Sequence, residues 1–421
     1  MRHRFDLNPA HMSAAAQAVL LVSASALCIL LSPPPPQFQR ELICAEAIPI
    51  GERAHIVMNC DADSFVRLAR DPSGVLEPNS VRQTRPGYAV LGWVFSLPFR
   101  AFNAATQRES FDPYYAGYVT LNWALMIFSV ILFADLVAAT SLLTPSAIVP
   151  VSVLLINHIT KAFFWTPHQQ IFGAFAGMVS IWVARRVIVR DAELDFKTTV
   201  LLGLCAGIAC LIYGAFVLLP LTIAVAFWLV GKRRRWIRTA AQTGILGLGT
   251  IAPFLAWRAY VIEKTGAFYS HETQFYHEFV WIPETMRESL DTFSSALLHN
   301  LARFLGTIPQ ALGVPVAFLA AACVLAVSRS GSFPRAFSNP TVKAACVFLV
   351  AAVPFYTLMG YYDPRLTATF VVPFLVIAAA ITKEALESAA TSPPHHNLPE
   401  PLTIAALAYV AIVILIPGPY A

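Results

Sequence analysis

The strongest constraint on this chain is a series of apolar runs, each about as long as a bilayer core is thick. A stretch of about 17 to 25 apolar residues forms a helix able to cross about 30 Å of hydrocarbon. Such runs occur at 13–32, 115–138, 147–164, 168–184, 240–260, 309–327, 344–361, 366–382 and 402–416. The run 199–230 is too long for one ordinary span. Tyr213-Gly214 in its middle predicts two short helices joined by a tight turn. The expected fold is an all-α polytopic membrane protein of about 11 spans, a single integral domain over 1–421. Composition agrees: 57% of residues are hydrophobic and 13% charged, against about 25% charged in soluble domains. That balance excludes a cytosolic globular enzyme, a disordered chain and a nucleic-acid binder.

Segment 86–102, PGYAVLGWVFSLPFRAF, is shorter in its apolar part and carries Pro98 and Arg100. Charge placement decides how to read it, because cytoplasmic loops collect Lys and Arg. If it does not cross, Arg2, Arg4, Arg185, Arg186, Arg190, Lys197, the Lys232–Arg238 cluster, Arg329, Arg335, Lys343 and Lys383 all fall on the amino-terminal side. If it crosses, the RRVIVR and KRRRWIR runs move to the opposite face from Arg2 and Arg4. The segment is therefore expected to be interfacial or re-entrant, with a cytoplasmic amino terminus that is retained as a signal-anchor rather than cleaved. Two large loops, 33–113 and 261–308, then lie outside. The cytoplasmic loops are short and carry no Gly-rich phosphate cradle, so chemistry is sought on the external side.

Five cysteines, Cys28, Cys205, Cys210, Cys323 and Cys346, sit in apolar runs and read as small hydrophobes. Cys44 and Cys60 share the first external loop, where a disulfide between them is one of two open outcomes. After the Pro33-Pro34-Pro35-Pro36 spacer, that loop reads CDADSFVRLARDP. Asp61 and Asp63 precede a short helical pattern, so one of them could simply cap it. Arg82, Arg85 and the start of the segment Pro86-Gly87-Tyr88 follow within 25 residues of the two carboxylates.

An acidic residue ahead of an aromatic and a Leu-Ala pair, then Arg-Pro-Gly-Tyr leading into an interfacial helix, resembles the GT-C class of polyprenyl-phosphate-sugar glycosyltransferases, which includes bacterial arabinosyl- and mannosyltransferases. The resemblance covers architecture over most of the chain. It implies a cell-envelope transferase of a bacterial inner membrane, its active site on the periplasmic face, with a loop aspartate as general base. Many members carry adjacent acidic residues where this chain has Ala62, so the match rests on Asp63 or Asp61, with Asp63 the nearer fit. The resemblance implies a lipid-linked sugar donor and a glycan, lipid or protein acceptor. Some members use a divalent cation such as Mg2+ or Mn2+, and one held partly by Asp61 or Asp63 stays open on the sequence; no other cofactor or metal site is expected.

Sugar transfer from a lipid phosphate needs a base for the acceptor hydroxyl and cations for the departing phosphate. Arg82, Arg85, Lys161 and Arg365 are the phosphate-binding candidates, arginine being favoured for its planar fork. Arg365, in GYYDPRLTATF, looks like the late tyrosine-rich external turn of GT-C enzymes; an ion pair with Asp363 is the competing reading. Lys161 also reads as a snorkelling lysine, and His158 as a hydrogen-bonded core histidine. Substrate-binding candidates are Tyr88, His158, His168, Glu272 and Tyr361. In the second loop, GAFYSHETQFYHEFVW suits a sugar or an interfacial belt. Met286, Leu290, Phe293, Leu297, Leu301 and Phe304 step by three or four and predict an amphipathic helix over 283–305 on the outer leaflet. The reading kept in reserve is a multi-pass transporter or flippase of a lipid-linked or amphiphilic substrate, which internal repeats and midplane charges would mark.

Overall fold

The computed structural model describes residues 9–34, 37, 44–107, 111–139, 141–142, 144–190, 194–230, 236–330, 338–361, 366 and 368–390. The expected span 402–416, Arg365, Arg2, Arg4, Arg335 and most of the 232–238 cluster lie outside these residues.

The protein is almost entirely helical. α1 (Pro9–Leu31) leads to the chain's one described sheet, an antiparallel hairpin of β1 (Ala45–Ile50) and β2 (Ala54–Asn59). Then follow α2 (Ala62–Arg70), α3 (Pro86–Thr106), α4 (Pro113–Leu136), α5 (Pro145–Leu155), α6 (His158–Phe163), α7 (Phe172–Val189), α8 (Phe196–Cys210), α9 (Leu218–Val230), α10 (Trp236–Thr265), α11 (His271–Phe275), α12 (Trp281–Glu288), α13 (Leu290–Ser330), α14 (Pro340–Met359) and α15 (Ala368–Ala390). Among the described residues, five helical segments are long and apolar enough to cross a membrane: Ala14–Leu31, Pro113–Leu136, Gln169–Val189, Trp236–Thr265 and Pro340–Met359. This is an all-α membrane protein.

Local chemistry sets the helix starts. Asp112 caps α4 by accepting from the Tyr114 and Tyr115 amides, with Pro113 in the first turn. Asn339 and Pro340 do the same for α14. The run 199–230 divides as expected, into α8 and α9 around a turn at 211–217. Two expectations need correction. Run 147–164 is not one helix: the Asn157 side chain accepts from the Ile159 and Thr160 amides and starts a new helix, α6, after α5 has ended. The amphipathic pattern over 283–305 and the run 309–327 are not separate either, because α13 continues unbroken from Leu290 to Ser330. Only the first part of the pattern stands apart, as α12, with Pro283 in its first turn.

α7 is the central helix, packed by α4, α9, α14 and α15. Lipid is as apolar as a leucine side chain, so close approach through small residues holds such a bundle together. A Cβ at Gly177 would lie 2.8 Å from the Thr369 carbonyl oxygen of α15. α2 and α3 pack against α4. Tyr88, Gly92, Ser96 and Arg100, on successive turns of α3, all meet the short stretch Tyr114–Tyr118 of α4. α3 thus packs closely on the first turns of α4.

Charges segregate to the two ends of the bundle. At the carboxyl end of α4, Arg185 donates to the Asp135 backbone oxygen, Trp182 to the Asp135 carboxylate, and Lys383 to the Ala138 carbonyl. The opposite end carries Asp61, Arg82, Arg85 and His168.

Candidate active site

The site begins with the hairpin. The Cys44–Cys60 disulfide closes its open end, where the Cys60 amide also donates to the Cys44 carbonyl at 2.7 Å. Asp61 follows immediately, its amide tied to the Asn59 side chain at 2.9 Å. It occupies the cap position of α2, yet its side chain makes no capping hydrogen bond. The carboxylate turns instead to Arg82 (2.8 Å, to Oδ1) and His168 (Nε2 3.6 Å from Oδ2). Those two partners, His168 first, hold its carboxyl well below the usual carboxylate range against the opposing effect of burial. The Asp61 side chain nevertheless remains 40% exposed, so a ligand can reach it.

An aromatic floor supports these groups. The Arg82 guanidinium lies 4.4 Å above the Phe65 ring. Phe65 packs edge-on against Tyr88, whose ring meets Tyr118. His168 sits against Phe163 and Phe65. Gln83, 1% exposed, fixes the turn that carries Arg82 and Arg85: its amide donates to the Glu77 carbonyl and its Oε1 accepts from the Tyr269 amide, while its backbone oxygen accepts from Trp257. These bonds also tie the turn before α3 to α10 and to the segment that follows it.

Arg85 pairs with Glu272 at 3.0 Å, and Thr84 donates to the same carboxylate. Asp61, Arg82, Arg85, His168, Glu272 and Tyr361 line one polar cavity of about 150 Å³, together with Gln169, Gln170, His271, Tyr276 and Glu278. Burial pushes Glu278 up to about 7, Glu272 adding to the rise and Arg85 opposing it. Tyr361 stacks on Tyr276 with centroids 4.2 Å apart. Among the described residues, buried Gln169 Oε1 and Arg82 Nε have no hydrogen-bond partner. An apolar cavity of about 530 Å³, walled by residues such as Tyr213, Ile251, Phe254, Phe355 and Met359, shares Arg85, Gln170, Glu272, Glu278 and Leu366 with the polar one.

The sequence candidates separate on this geometry. Asp63 is exposed in the first turn of α2 and lines neither cavity; the neighbouring Asp61 does. Tyr88 is wholly buried behind Phe65, in the floor and not the lining. Lys161 is 4% exposed on α6 beneath the hairpin, where burial, with Lys161 adding, holds His55 below its ordinary value. His158 opens the same short helix. Lys161 lines neither cavity. Sequence reasoning missed Gln83 and Gln170; a lone glutamine in a loop carries no pattern that marks it. Among the described residues no group of three or more His, Cys, Asp or Glu is placed to hold a metal ion.

Comparison with protein-family models, curated proteins and solved structures finds no match to this chain.

Proposed function

We propose that the protein is a membrane glycosyltransferase that moves a sugar from a polyprenyl-phosphate donor to an acceptor hydroxyl, with Asp61 as general base. What carries the reading is the join between the two cavities. A polar chamber holding Asp61, Glu272, Glu278 and two arginines shares five lining residues with an apolar one, which suits an amphiphile whose charged head and greasy tail must be held side by side. The acceptor oxygen attacks the anomeric carbon as Asp61 takes its proton, and the carbon–oxygen bond to phosphate breaks with the electron pair leaving on the phosphate. Arg82 and Arg85 are the cations for that charge.

A carboxylate held ionised by Arg82 is a weak base, and donor binding offers the remedy. A phosphate competing for Arg82, whose Nε is unpaired among the described residues, draws the guanidinium away from Asp61 and raises its basicity once substrate is present. Both Asp61 oxygens face cationic or hydrogen-donating groups, which is a poor donor set for a divalent ion.

The reading includes a multi-pass protein of a bacterial inner membrane, with its amino terminus cytoplasmic, the hairpin and cavities periplasmic, and the number of crossings near eleven. The site lies at one end of the bundle and not at its middle, which favours a transferase over a flippase.

The test is transfer by the purified chain from a labelled polyprenyl-phosphate sugar. Asp61→Asn is expected to lower kcat by about 10²–10⁴-fold, while Asp63→Asn stays within about threefold. Loss in Asp63→Asn with full activity in Asp61→Asn would overturn the assignment.

A further inference from the structure

A second groove, of about 660 Å³, lies between Tyr276–Trp281, the first turns of α13 and Gly360 at the end of α14. Tyr276, His277, Trp281, Asp291, His299 and Asn300 line it, and no Lys or Arg does so among the described residues. Its two large rings are each covered on one side: Tyr361 stacks on Tyr276, and Phe293 on Trp281 with centroids 5.8 Å apart. Trp281 is further fixed by its Nε1–H, which donates to the Leu358 carbonyl at 3.0 Å. Gly360, with φ 78°, both ends α14 and lets Trp281 seat, since a Cβ there would collide with the indole. The Phe279 amide donates to the Met359 carbonyl, so the whole wall is pinned to the last turn of α14.

Anchored rings amid hydrogen-bonding side chains match a molecule with C–H faces and a hydroxyl rim. A phosphate would meet Asp291 and no lysine or arginine; a lipid tail would leave His277, His299, Asn300 and Asp291 unmatched. We propose that this groove binds a neutral saccharide. Tyr276 also lines the Asp61 cavity, so a bound saccharide extends to the wall of that cavity. Its service as the acceptor rests on the transferase reading above, whereas its binding does not.

The experiment uses the full chain in lipid nanodiscs, probed with an array of neutral and uronic-acid-bearing oligosaccharides and then titrated with the best neutral binder. Neutral oligosaccharides are expected to bind. Ser295→Trp, which fills the groove from an exposed position on α13, is expected to weaken binding about tenfold or more, with Asp63→Asn unchanged. Absence of binding to every neutral oligosaccharide by the folded chain overturns the proposal, as does wild-type binding in both Ser295→Trp and His299→Ala. Binding without sugar transfer supports the groove and removes the transferase reading. Transfer without binding overturns the groove and leaves that reading standing.

Discussion

His168 faces Asp61 through Nε2, 3.6 Å from Oδ2, while its Nδ1 accepts the Gln170 backbone N–H at 3.1 Å. With Nδ1 occupied as an acceptor, the neutral ring carries its proton on Nε2, directed at the carboxylate. Asp61 is therefore held between a guanidinium and an oriented imidazole, both from outside its own helix.

Removing Arg82 should change how the reaction responds to acid. In Arg82→Gln the carboxyl of the free enzyme loses one of the partners that depress it, so the acidic limb of the kcat/KM profile should move up by about one pH unit or more. Turnover at neutral pH should fall as well. A limb at the wild-type position would mean that Asp61 does not titrate in the reaction.

Stability should carry the mark of Glu278, whose carboxyl is raised from 4.5 to about 7. A raised acid favours the folded state fully below its unfolded value and loses that contribution as pH rises through the folded one. Wild type should thus lose on the order of 2 kcal/mol between about pH 4.5 and 7, discounted for residual solvation. Glu278→Gln should not show that fall, as thermal unfolding of the two proteins across that range would report.

Reduction of the Cys44–Cys60 bridge, or Cys60→Ser, should destabilise the hairpin by about 2–4 kcal/mol for a loop of this size. Activity should fall with it, because Asp61 is the next residue. Non-reducing peptide mapping checks the bond; two free thiols in the native chain would remove the idea.

Topology is open to a direct check. Reporters fused at residues 60 and 300 should both read as periplasmic and one at residue 190 as cytoplasmic, since the basic residues of α7 lie at the opposite end of the bundle from Arg82. Opposite readings at 60 and 300 would separate the two loops that Gln83 joins.

Several features were legible because they depend on neighbours in the chain. The apolar runs foretold α1, α4, α7, α10 and α14; Tyr213-Gly214 marked the break between α8 and α9; Cys44 and Cys60 shared a loop and are bonded. Others were not. Asn157 reads as one polar residue in an apolar run, but its side chain caps α6 and divides the run. The stripe that begins α13 looked interfacial, yet the backbone hydrogen bonds continue into the following run.

Between Asp61 and Asp63 the spacing favoured Asp63, two residues before Phe65 where Asp61 is four, but spacing does not record which carboxylate meets partners from elsewhere in the chain. Composition and periodicity determined that this chain is helical, that its helices are apolar enough to cross a membrane, and that carboxylates and arginines share one loop. Those properties depend on contiguous residues. Only the tertiary structure decided which carboxylate has partners, because Arg82 arrives on the turn held by Gln83 and His168 on the turn before α7. Convergence of three distant segments is a property of packing, which no local spacing records.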